Sequence, residues 1–461
     1  MSAIFWFRRD LRLADNEALT EAVRFATQDR SAKIIPCVNF NRGAFDLLEG
    51  IRQHSLVESF RALDKSIEGK LNVFESTSTA EFAEKLIAVA KKNDVAVVFA
   101  MKSFDPEGVR QQNAVAKELS KADIELRLIG SAYAVEPGTV QKPDGSNYRV
   151  YTPFYKAWAP IAAVDPIKLP KVEISWINVS SSSPMPKPSK PSPIKVIAGE
   201  AFALRTLARF RKRALKDYDQ LRNRADISGT SHLSHALAHG EIHPRTILSG
   251  LGDSSGEEVF RKEIAWREFY ADVLHHYPHT VTDYYEPKFK QLRYDTGKVA
   301  EARFAAWCKG ETGYPMVDAG MRQLVSTGWM HNRVRMIVAS FLVKDLHIEW
   351  TRGAAFFEAH LSDFDPASNS HGWQWTAGCG TDASPYYRIF NPILQGLKFD
   401  PEGDYVRKFI PELRHLEGAS VHEPWEVFDG YAAGYPERIV DHNEERNESL
   451  ARLEEIKEPK R

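Results

Sequence analysis

Two carboxylates, a carboxamide, an imidazole and two indoles are concentrated between Asp363 and Trp375, in the run Asp-Phe-Asp-Pro-Ala-Ser-Asn-Ser-His-Gly-Trp-Gln-Trp. Polar tips beside large aromatic planes are typical of a pocket for a flat, charged, aromatic molecule. The run distantly resembles a calcium loop, but Ser368 stands where the turn glycine is needed and Gln374 replaces the closing glutamate. We therefore expect an organic ligand here and no metal.

A second set of polar and aromatic side chains shares one face of a predicted helix. Glu263, Trp266, Arg267 and Tyr270 follow the spacing i, i+3, i+4 and i+7. A helix that buried only core would carry Leu or Ile at these positions. A polar and aromatic pocket wall is at least as compatible with this pattern as plain packing.

Hydroxyl side chains are clustered in the run Gly229-Thr-Ser-His-Leu-Ser234, just before a helical segment. At a helix start such groups cap the helix, and they can equally hold a phosphate, so both interpretations stay open. Tyr218 and Arg222 lie one helical turn apart upstream, which places an aromatic ring and a cation on one face.

The elements that must position these residues fall into two patterns. Short apolar runs alternate with helical periods up to about residue 130, which predicts a doubly wound parallel sheet with helices on both faces, an α/β domain over residues 1–130. Residues 131–200 form a connector that ends in an extended, exposed Pro/Ser-rich linker between Val172 and Glu200. Residues 201–461 are helical almost throughout and can enclose a cofactor.

Composition narrows the setting. The 61 basic and 62 acidic side chains give a net charge of −1, so any nucleic-acid site must be a local patch. Three isolated cysteines supply neither a disulfide framework nor a zinc site, and no apolar run approaches membrane length. With no signal peptide expected at the N-terminus, we predict a cytoplasmic, monomeric protein without membrane association.

Several long motifs occur in a characteristic order: Trp6 to Asn16, Trp266 to Phe269, Gly310 to Leu324, Gly328 to Met336, Asp363 to Trp375, and Tyr387 to Pro392. Together they resemble the DNA photolyase and cryptochrome family, and in particular its class I cyclobutane pyrimidine dimer photolyases. The resemblance spans nearly the whole chain. It implies an α/β antenna domain, the photolyase N-terminal domain, followed by a helical catalytic domain that binds FAD.

The resemblance also implies which residues hold the cofactor. In it, Asp363 pairs with Arg335 beside the flavin, Asp365 accepts from the isoalloxazine edge, and Asn369 lies at flavin N5, where an amide can accept or donate. The remaining cofactor residues that it implies are Tyr218, Thr230, Ser231, Leu233, Ser234, Trp266 and Arg267.

The implied activity is that of a deoxyribodipyrimidine photolyase, a lyase that cleaves carbon–carbon bonds. Excited reduced FAD passes an electron to a pyrimidine dimer flipped out of UV-damaged DNA. In family members that repair the six-four photoproduct, histidines occupy the positions of Asn332 and Met336, so the cyclobutane dimer is favoured. The catalytic candidates are Glu263, Asn332, Met336 and Trp375, and the DNA-binding candidates are Arg222, Arg333 and Lys398.

Two features of the family pattern are incomplete. Trp373 and Trp350 match the inner members of a three-tryptophan chain for photoreduction, but the outer position is Gly297, with Tyr294 close by as a candidate. A second chromophore, the antenna, is expected; methenyltetrahydrofolate and 8-hydroxy-deazaflavin stay open, and so does the absence of any second chromophore. The alternative function is that of a cryptochrome-type blue-light photoreceptor without repair, against which stand the lesion-pocket residues and the absence of a long tail before Arg461.

Overall fold

The structure is a computed structural model that describes residues 2–28, 31–382 and 387–457. Met1 and Arg461, the ends of the predicted domains, lie outside the described residues. The chain divides into two compact units: residues 1–216 with 231–278, and residues 217–230 with 279–461. The predicted boundaries near residues 130 and 200 stay predictions.

The first unit contains a seven-stranded sheet. Its strands are β1 (Ser2–Phe7), β2 (Thr27–Gln28), β3 (Ser31–Asn41), β4 (Asn72–Ser76), β5 (Val97–Ala100), β6 (Glu125–Leu128) and β7 (Glu173–Trp176). The main order is β2-β3-β1-β5-β6, and β3 also pairs with β4 and β7. All pairings are parallel except the two-residue pairing of β2 with β3.

Helices follow in chain order: α1 (Glu17–Ala26), α2 (Arg42–Asp46), α3 (Gly50–Ser66), α4 (Thr79–Lys92), α5 (Pro106–Ser120), α6 (Tyr151–Ala162), α7 (Glu200–Arg213), α8 (Tyr218–Leu221), α9 (Ser234–His239), α10 (Pro244–Leu248), α11 (Ser255–His276), α12 (Gly297–Lys309), α13 (Pro315–Thr327), α14 (Asn332–Lys344), α15 (Trp350–His360), α16 (Pro366–Ala377), α17 (Pro392–Phe399), α18 (Asp404–Phe409) and α19 (His442–Glu455). Short 3-10 helices span Pro278–Val281, Pro287–Gln291, Pro411–Leu413, Gly418–His422 and Pro424–Glu426.

Both faces of the sheet are buried, as a doubly wound fold requires. Along β1, Ala3, Phe5 and Phe7 join one apolar cluster with residues of α1 and α3. Ile4 and Trp6 join the opposite cluster with residues of α4 and α5. The predicted α/β class and its two helical layers are confirmed.

Part of the predicted linker is not exposed. Residues 173–176, in the alternating run Glu-Ile-Ser-Trp, form β7 and pair with β3 from Ser31 to Ile34. Downstream, the Ser189 and Lys190 amides donate to Gln53 Oε1 at 2.8 and 3.1 Å. The expectation of an extended, exposed segment from Val172 was wrong here, because apolar side chains every second residue favour a half-buried strand even inside a Pro/Ser-rich stretch.

The second unit is helical, as predicted, with no strand among its described residues. Its core gathers apolar residues from α12 to α16, including Trp307, Trp350 and Trp373. Over the described parts of the whole chain, every helix is too short or too polar to cross a bilayer.

Candidate functional site

The run that begins at Asp363 folds as a loop followed by α16 in the second unit. Asp365 is the N-cap residue of α16, and its Oδ1 accepts a hydrogen bond from the Ser368 amide at 2.8 Å. Pro366 follows at the first helical position, where its missing N–H has no cost. One oxygen of Asp365 therefore caps the helix, a local use that the sequence analysis did not assign.

The predicted Arg335–Asp363 ion pair is present. Arg335, on α14, donates to Asp363 Oδ2 at 2.7 Å, and its Nε donates to the Met330 carbonyl at 2.8 Å. The Asp363 side chain is 1% exposed. Its second oxygen, Oδ1, is buried and has no hydrogen-bond partner among residues 2–28, 31–382 and 387–457.

The Asn369 carboxamide is half satisfied. Its Nδ2 donates to the Ala354 carbonyl of α15 at 3.1 Å, which fixes the orientation of the amide. Its Oδ1 is buried and lacks a partner within the part of the chain that the structure describes. Buried polar atoms are nearly always hydrogen-bonded, so the unpaired oxygens of Asn369 and Asp363 indicate a place for a ligand that donates to them.

His371 contributes to packing and hydrogen bonding in the second unit. It is fully buried, and its Nε2 lies 3.3 Å from Thr280 Oγ1. Burial lowers the pKa of His371 to about 3, so the imidazole is neutral at physiological pH. A neutral buried ring is compatible with a structural function.

The lesion-pocket candidates on α14 share a face. Asn332 is the first helical residue and is exposed, and Met336 lies one turn later and is half-buried. Trp375, on α16, is also half-buried, and the Arg388 guanidinium lies 5.7 Å from its ring centre. An amide, a thioether and an indole edge are thus accessible from outside the second unit.

Two DNA-binding candidates converge on the buried ring of Phe399. The Arg333 guanidinium lies 4.7 Å and the Lys398 ammonium 5.5 Å from the ring centre. Arg333 also donates to Asn223 Oδ1 at 2.9 Å, next to Arg222. These contacts gather three cations on one part of the second unit, a local basic patch that net charge could not reveal.

Tyr218 and Arg222 lie on one face, as the sequence predicted. Tyr218 begins α8 and is buried, and the Arg222 guanidinium lies 5.8 Å from its ring centre. Thr230 is half-buried at the end of the segment 217–230.

In the first unit, the predicted face of α11 is half-buried throughout, at Glu263, Trp266, Arg267 and Tyr270. Trp266 stacks on Tyr151 of α6, with ring centres 3.8 Å apart and an interplanar angle of 7°. One face of the indole is therefore occupied within the unit. This face of α11 is therefore a polar and aromatic wall and not a plain core face.

Arg267 and the hydroxyl run are connected. Arg267 donates to the carbonyls of Ala132 at 3.0 Å and of Leu237, on α9, at 3.3 Å. The N-cap residue of α9 is Leu233, which has no capping side chain, and the Ser231 hydroxyl accepts from the Leu233 amide at 3.3 Å. The capping alternative for Ser231 and Ser234 is wrong, because Ser234 already lies inside the helix and Ser231 precedes its cap.

The aromatic candidates for electron transfer lie together in the second unit. The Trp373 ring meets the rings of Phe357 and Trp307, at centroid distances of 5.0 and 6.2 Å, and a Cβ atom on Gly353 would lie 2.2 Å from it. Trp350 begins the helix that carries Gly353 and Phe357.

Gly297 begins α12, so the outer position of the predicted electron-transfer chain carries no side chain. The residue that sequence reasoning missed is Tyr284, whose ring meets Trp350 edge to face at 6.0 Å. No periodic signal could have found it, because it lies in an irregular segment between two 3-10 helices.

Family models cover most of the chain. Residues 3–172 match the DNA photolyase model, and residues 260–455 match the FAD binding domain of DNA photolyase. The protein therefore belongs to the DNA photolyase family. As predicted, it is an FAD-dependent enzyme of light-driven DNA repair.

Individual relatives are similar over their full length. The chain is 40% identical to the deoxyribodipyrimidine photo-lyase of Agrobacterium fabrum, over 98% of each sequence. It is 38% identical to a bacterial class III photolyase from Agrobacterium tumefaciens, with a TM-score of 0.88 over 99% of this chain and 98% of that one. An archaeal photolyase from Sulfolobus tokodaii, whose structure holds two FAD molecules, is 28% identical with a TM-score of 0.82, over 99% and 100% of the two chains. The class of this chain within the family stays a prediction.

The residues present fit FAD. Asn369 Oδ1 and Asp363 Oδ1 are buried and have no partner among the residues that the structure describes, so they require a donor, which a flavin ring system offers through its N–H groups. Arg335 sets a positive charge beside Asp363.

Proposed function

We propose that this protein repairs cyclobutane pyrimidine dimers in UV-damaged DNA, in the cytoplasm and as a monomer. The observation that carries the proposal is the accessible face of α14, where Asn332 is exposed and Met336 half-buried. Neither side chain can move a proton in the way that two histidines can, so the face suits a lesion that needs no acid–base step.

Bound FAD would supply light absorption and the electron that opens the cyclobutane ring. The residues of the protein would bind the flavin and orient it. Asn369 would accept at N5 through Oδ1, with its Nδ2 held by the Ala354 carbonyl. Asp363 would accept through Oδ1, and its charge stays balanced by Arg335.

Around the flavin, Asp365 would accept from the ring edge with the oxygen not used for capping. The phosphates would be held by Thr230, Ser231, Leu233 and Ser234, and Tyr218, Trp266 and Arg267 would line the cofactor. The Arg267 contact with the Leu237 carbonyl supports the assignment of Arg267 and Ser234, because it ties α9, which begins at Ser234, to α11.

The lesion would meet Glu263, Asn332, Met336 and Trp375, where the half-buried Trp375 indole offers a plane to the splayed bases. Arg222, Arg333 and Lys398 would contact phosphates and thereby set the register on the DNA. Trp373 and Trp350 would carry electrons during photoreduction, and an aromatic residue near Tyr294 would complete the chain at its outer end. The α/β domain over residues 1–130 would hold the antenna chromophore, a folate or a deazaflavin.

Repair of defined oligonucleotides tests the proposal. With FAD fully reduced, we expect blue light to remove a cyclobutane thymine dimer, and we expect no removal in the dark or from an oligonucleotide that carries a six-four photoproduct. Repair of the six-four lesion would contradict the assignment of Asn332 and Met336. A protein that holds reduced flavin and repairs neither lesion in light would be a photoreceptor.

A further inference from the structure

A hydrogen-bonded phenol adjoins Trp350 in the second unit. Tyr284 is 6% exposed, and its ring meets the Trp350 ring at an interplanar angle of 89° with centroids 6.0 Å apart. Its hydroxyl donates to Glu349 Oε1 at 2.9 Å and lies 3.3 Å from the Tyr294 hydroxyl. An edge-to-face contact of this kind brings the two π-systems close enough for direct electron exchange.

The indoles and the phenol differ in whether a proton can leave. The Nε1 atoms of Trp350 and Trp373 are buried and have no hydrogen-bond partner among the described residues. Trp307, in contrast, donates its Nε1–H to the Val338 carbonyl at 3.0 Å. An oxidised indole without an acceptor keeps its proton and its positive charge. It is therefore readily reduced by an electron from a neighbouring aromatic side chain.

An oxidised phenol behaves differently, because it is a strong acid. Burial raises the pKa of the Tyr284 phenol well above its ordinary value, so the resting residue is protonated. The Glu349 carboxylate, 2.9 Å away, can take the proton as the electron leaves. The tyrosyl radical that remains is neutral, so the positive charge does not pass back to Trp350 unless the proton also returns.

Tyr284 is held against the helix that carries Trp373. Gln374, the next residue of α16, donates through Nε2 to the carbonyls of Thr280 at 2.8 Å and Asp283 at 3.1 Å. The Tyr285 amide donates to Gln374 Oε1 at 2.7 Å. Anchors on both sides of Tyr284 fix its ring in place.

From this geometry we propose that Tyr284 is the outer electron donor of the photoreduction chain and that Glu349 accepts its proton. The proposal rests on the proposed function, in which Trp373 and Trp350 form the inner chain. When an electron leaves Trp373 for the photoexcited oxidised flavin, Trp350 refills Trp373. Tyr284 then refills Trp350, and its O–H bond breaks, with the proton moving to Glu349 and a neutral tyrosyl radical remaining.

Tyr294 assists without being the donor. The Tyr284 hydroxyl donates to Glu349 Oε1 at 2.9 Å, and the Tyr294 oxygen is a second, longer acceptor for it at 3.3 Å. The two acceptors hold the phenol O–H in place for transfer of its proton. This arrangement replaces the side chain that Gly297 lacks.

Flash spectroscopy and electron paramagnetic resonance of the flavin-loaded, oxidised protein test the proposal. We expect a tyrosyl radical in the wild type, formed more slowly in heavy water because a proton moves. In Tyr284→Phe we expect only tryptophan radicals that decay by back transfer. In Glu349→Gln we expect slower tyrosyl formation and a lower yield. Tyr285→Phe, the adjacent phenol, is the matched control and should keep the full tyrosyl signal. Tyr294→Phe should also keep a tyrosyl signal, because Tyr284 and Glu349 are both still present.

A tyrosyl signal that survives in Tyr284→Phe overturns the assignment, and so does a wild type that shows tryptophan radicals alone. Glu349→Gln provides a second decision if Tyr284→Phe does not fold. Dimer repair with chemically reduced flavin should be equal in all variants. A wild type that forms the tyrosyl radical but repairs no dimer would leave this inference standing and contradict the proposed function.

Discussion

The Asn369 carboxamide shows how one residue is prepared for a ligand. Its Nδ2 is tied to the Ala354 carbonyl, whereas its Oδ1 is buried without a partner among the described residues. An unsatisfied buried acceptor costs about 1–3 kcal/mol. A side chain fixed by one half and unpaired at the other is preorganised to accept from a bound group.

Asn369→Ala should shift the flavin potential. In the proposed site, loss of the Asn369 acceptor would remove a hydrogen bond to N5 of the reduced, protonated ring, so we expect a lower two-electron reduction potential and faster reoxidation in air. Spectroelectrochemistry of the flavin measures both. Ser368→Ala, one residue earlier on α16, is the control and should leave the potential unchanged; equal shifts in both variants would reject the N5 assignment.

Lys344 is a residue whose charge opposes folding. Its side chain is almost completely buried, and its ammonium donates to the Arg388 carbonyl and lies 4.0 Å from the Tyr387 ring centre. Burial lowers the pKa of Lys344 to about 7. The unfolded chain therefore binds a proton that the folded chain releases between about pH 7 and the ordinary lysine pKa near 10.4.

The unfolding free energy should consequently rise with pH in this window, by up to about 1.4 kcal/mol per pH unit from this residue. Lys344→Met has a similar shape without the charge, so the difference between wild type and variant should change between pH 7 and 9. Urea unfolding at several pH values measures it. Lys309→Met, at an exposed site, should give a curve parallel to the wild type; a parallel Lys344→Met curve would refute the lowered pKa.

At the scale of the element, α16 organises the site. Its cap Asp365, the amide of Asn369 and the indole of Trp373 all depend on where the helix begins and on which face it buries. Asp365 is 6% exposed and its Oδ1 bonds the Ser368 amide. The same carboxylate is proposed to meet the flavin, so its two functions need separate tests.

Substitution of Asp365 separates these functions. Asp365→Ala should lower the unfolding free energy of the flavin-free protein by about 0.5–2 kcal/mol, because α16 loses its cap. Asp365→Asn keeps a capping oxygen, so we expect most of the stability to return while flavin affinity stays reduced. Urea unfolding and flavin titration distinguish the two. Equal stability loss in both variants would show that the negative charge of Asp365, and not its capping hydrogen bond, stabilises α16.

At the scale of the whole molecule, electrostatics give no hint of a DNA partner. The net charge is −1, and many exposed cations on helices are paired with acids one turn away, as Arg110 is with Glu107. Attraction to a polyanion must then come from local groups such as Arg333 and Lys398, which share the Phe399 ring.

Salt dependence of DNA binding measures these contacts. Lys398→Ala should weaken binding to damaged duplex and reduce the slope of log affinity against log salt concentration by about 0.9, the value for one phosphate contact. Fluorescence anisotropy at several salt concentrations gives the slope. Lys309→Ala, an exposed lysine of the same unit, should leave it unaltered. An unchanged slope in Lys398→Ala would remove Lys398 from the interface.

The sequence predicted most of the fold because alternation and helical spacing are local properties. The two buried faces of β1 and the mixed face of α11 follow from side-chain period alone. The number of strands in the sheet could not be predicted in this way. Strand β7 joins the sheet by pairing with β3, and the paired residues Glu173 and Ser31 are about 140 residues apart in the sequence. Likewise, α9 begins at Ser234 with Leu233 as its N-cap residue, although hydroxyl residues with a stronger capping preference lie next to it.

By itself, the sequence determined the family and the α/β and helical classes, and it singled out the side chains between Asp363 and Trp375 as candidates for the site. Residue type and spacing suffice for these, since they are written along the chain. Only the tertiary structure decided that Asn369 Oδ1 is buried with no partner among the described residues, that Asp365 is also a cap, and that Tyr284 lies between Trp350 and Glu349. Burial and pairing depend on residues far apart in the chain, which no local pattern records.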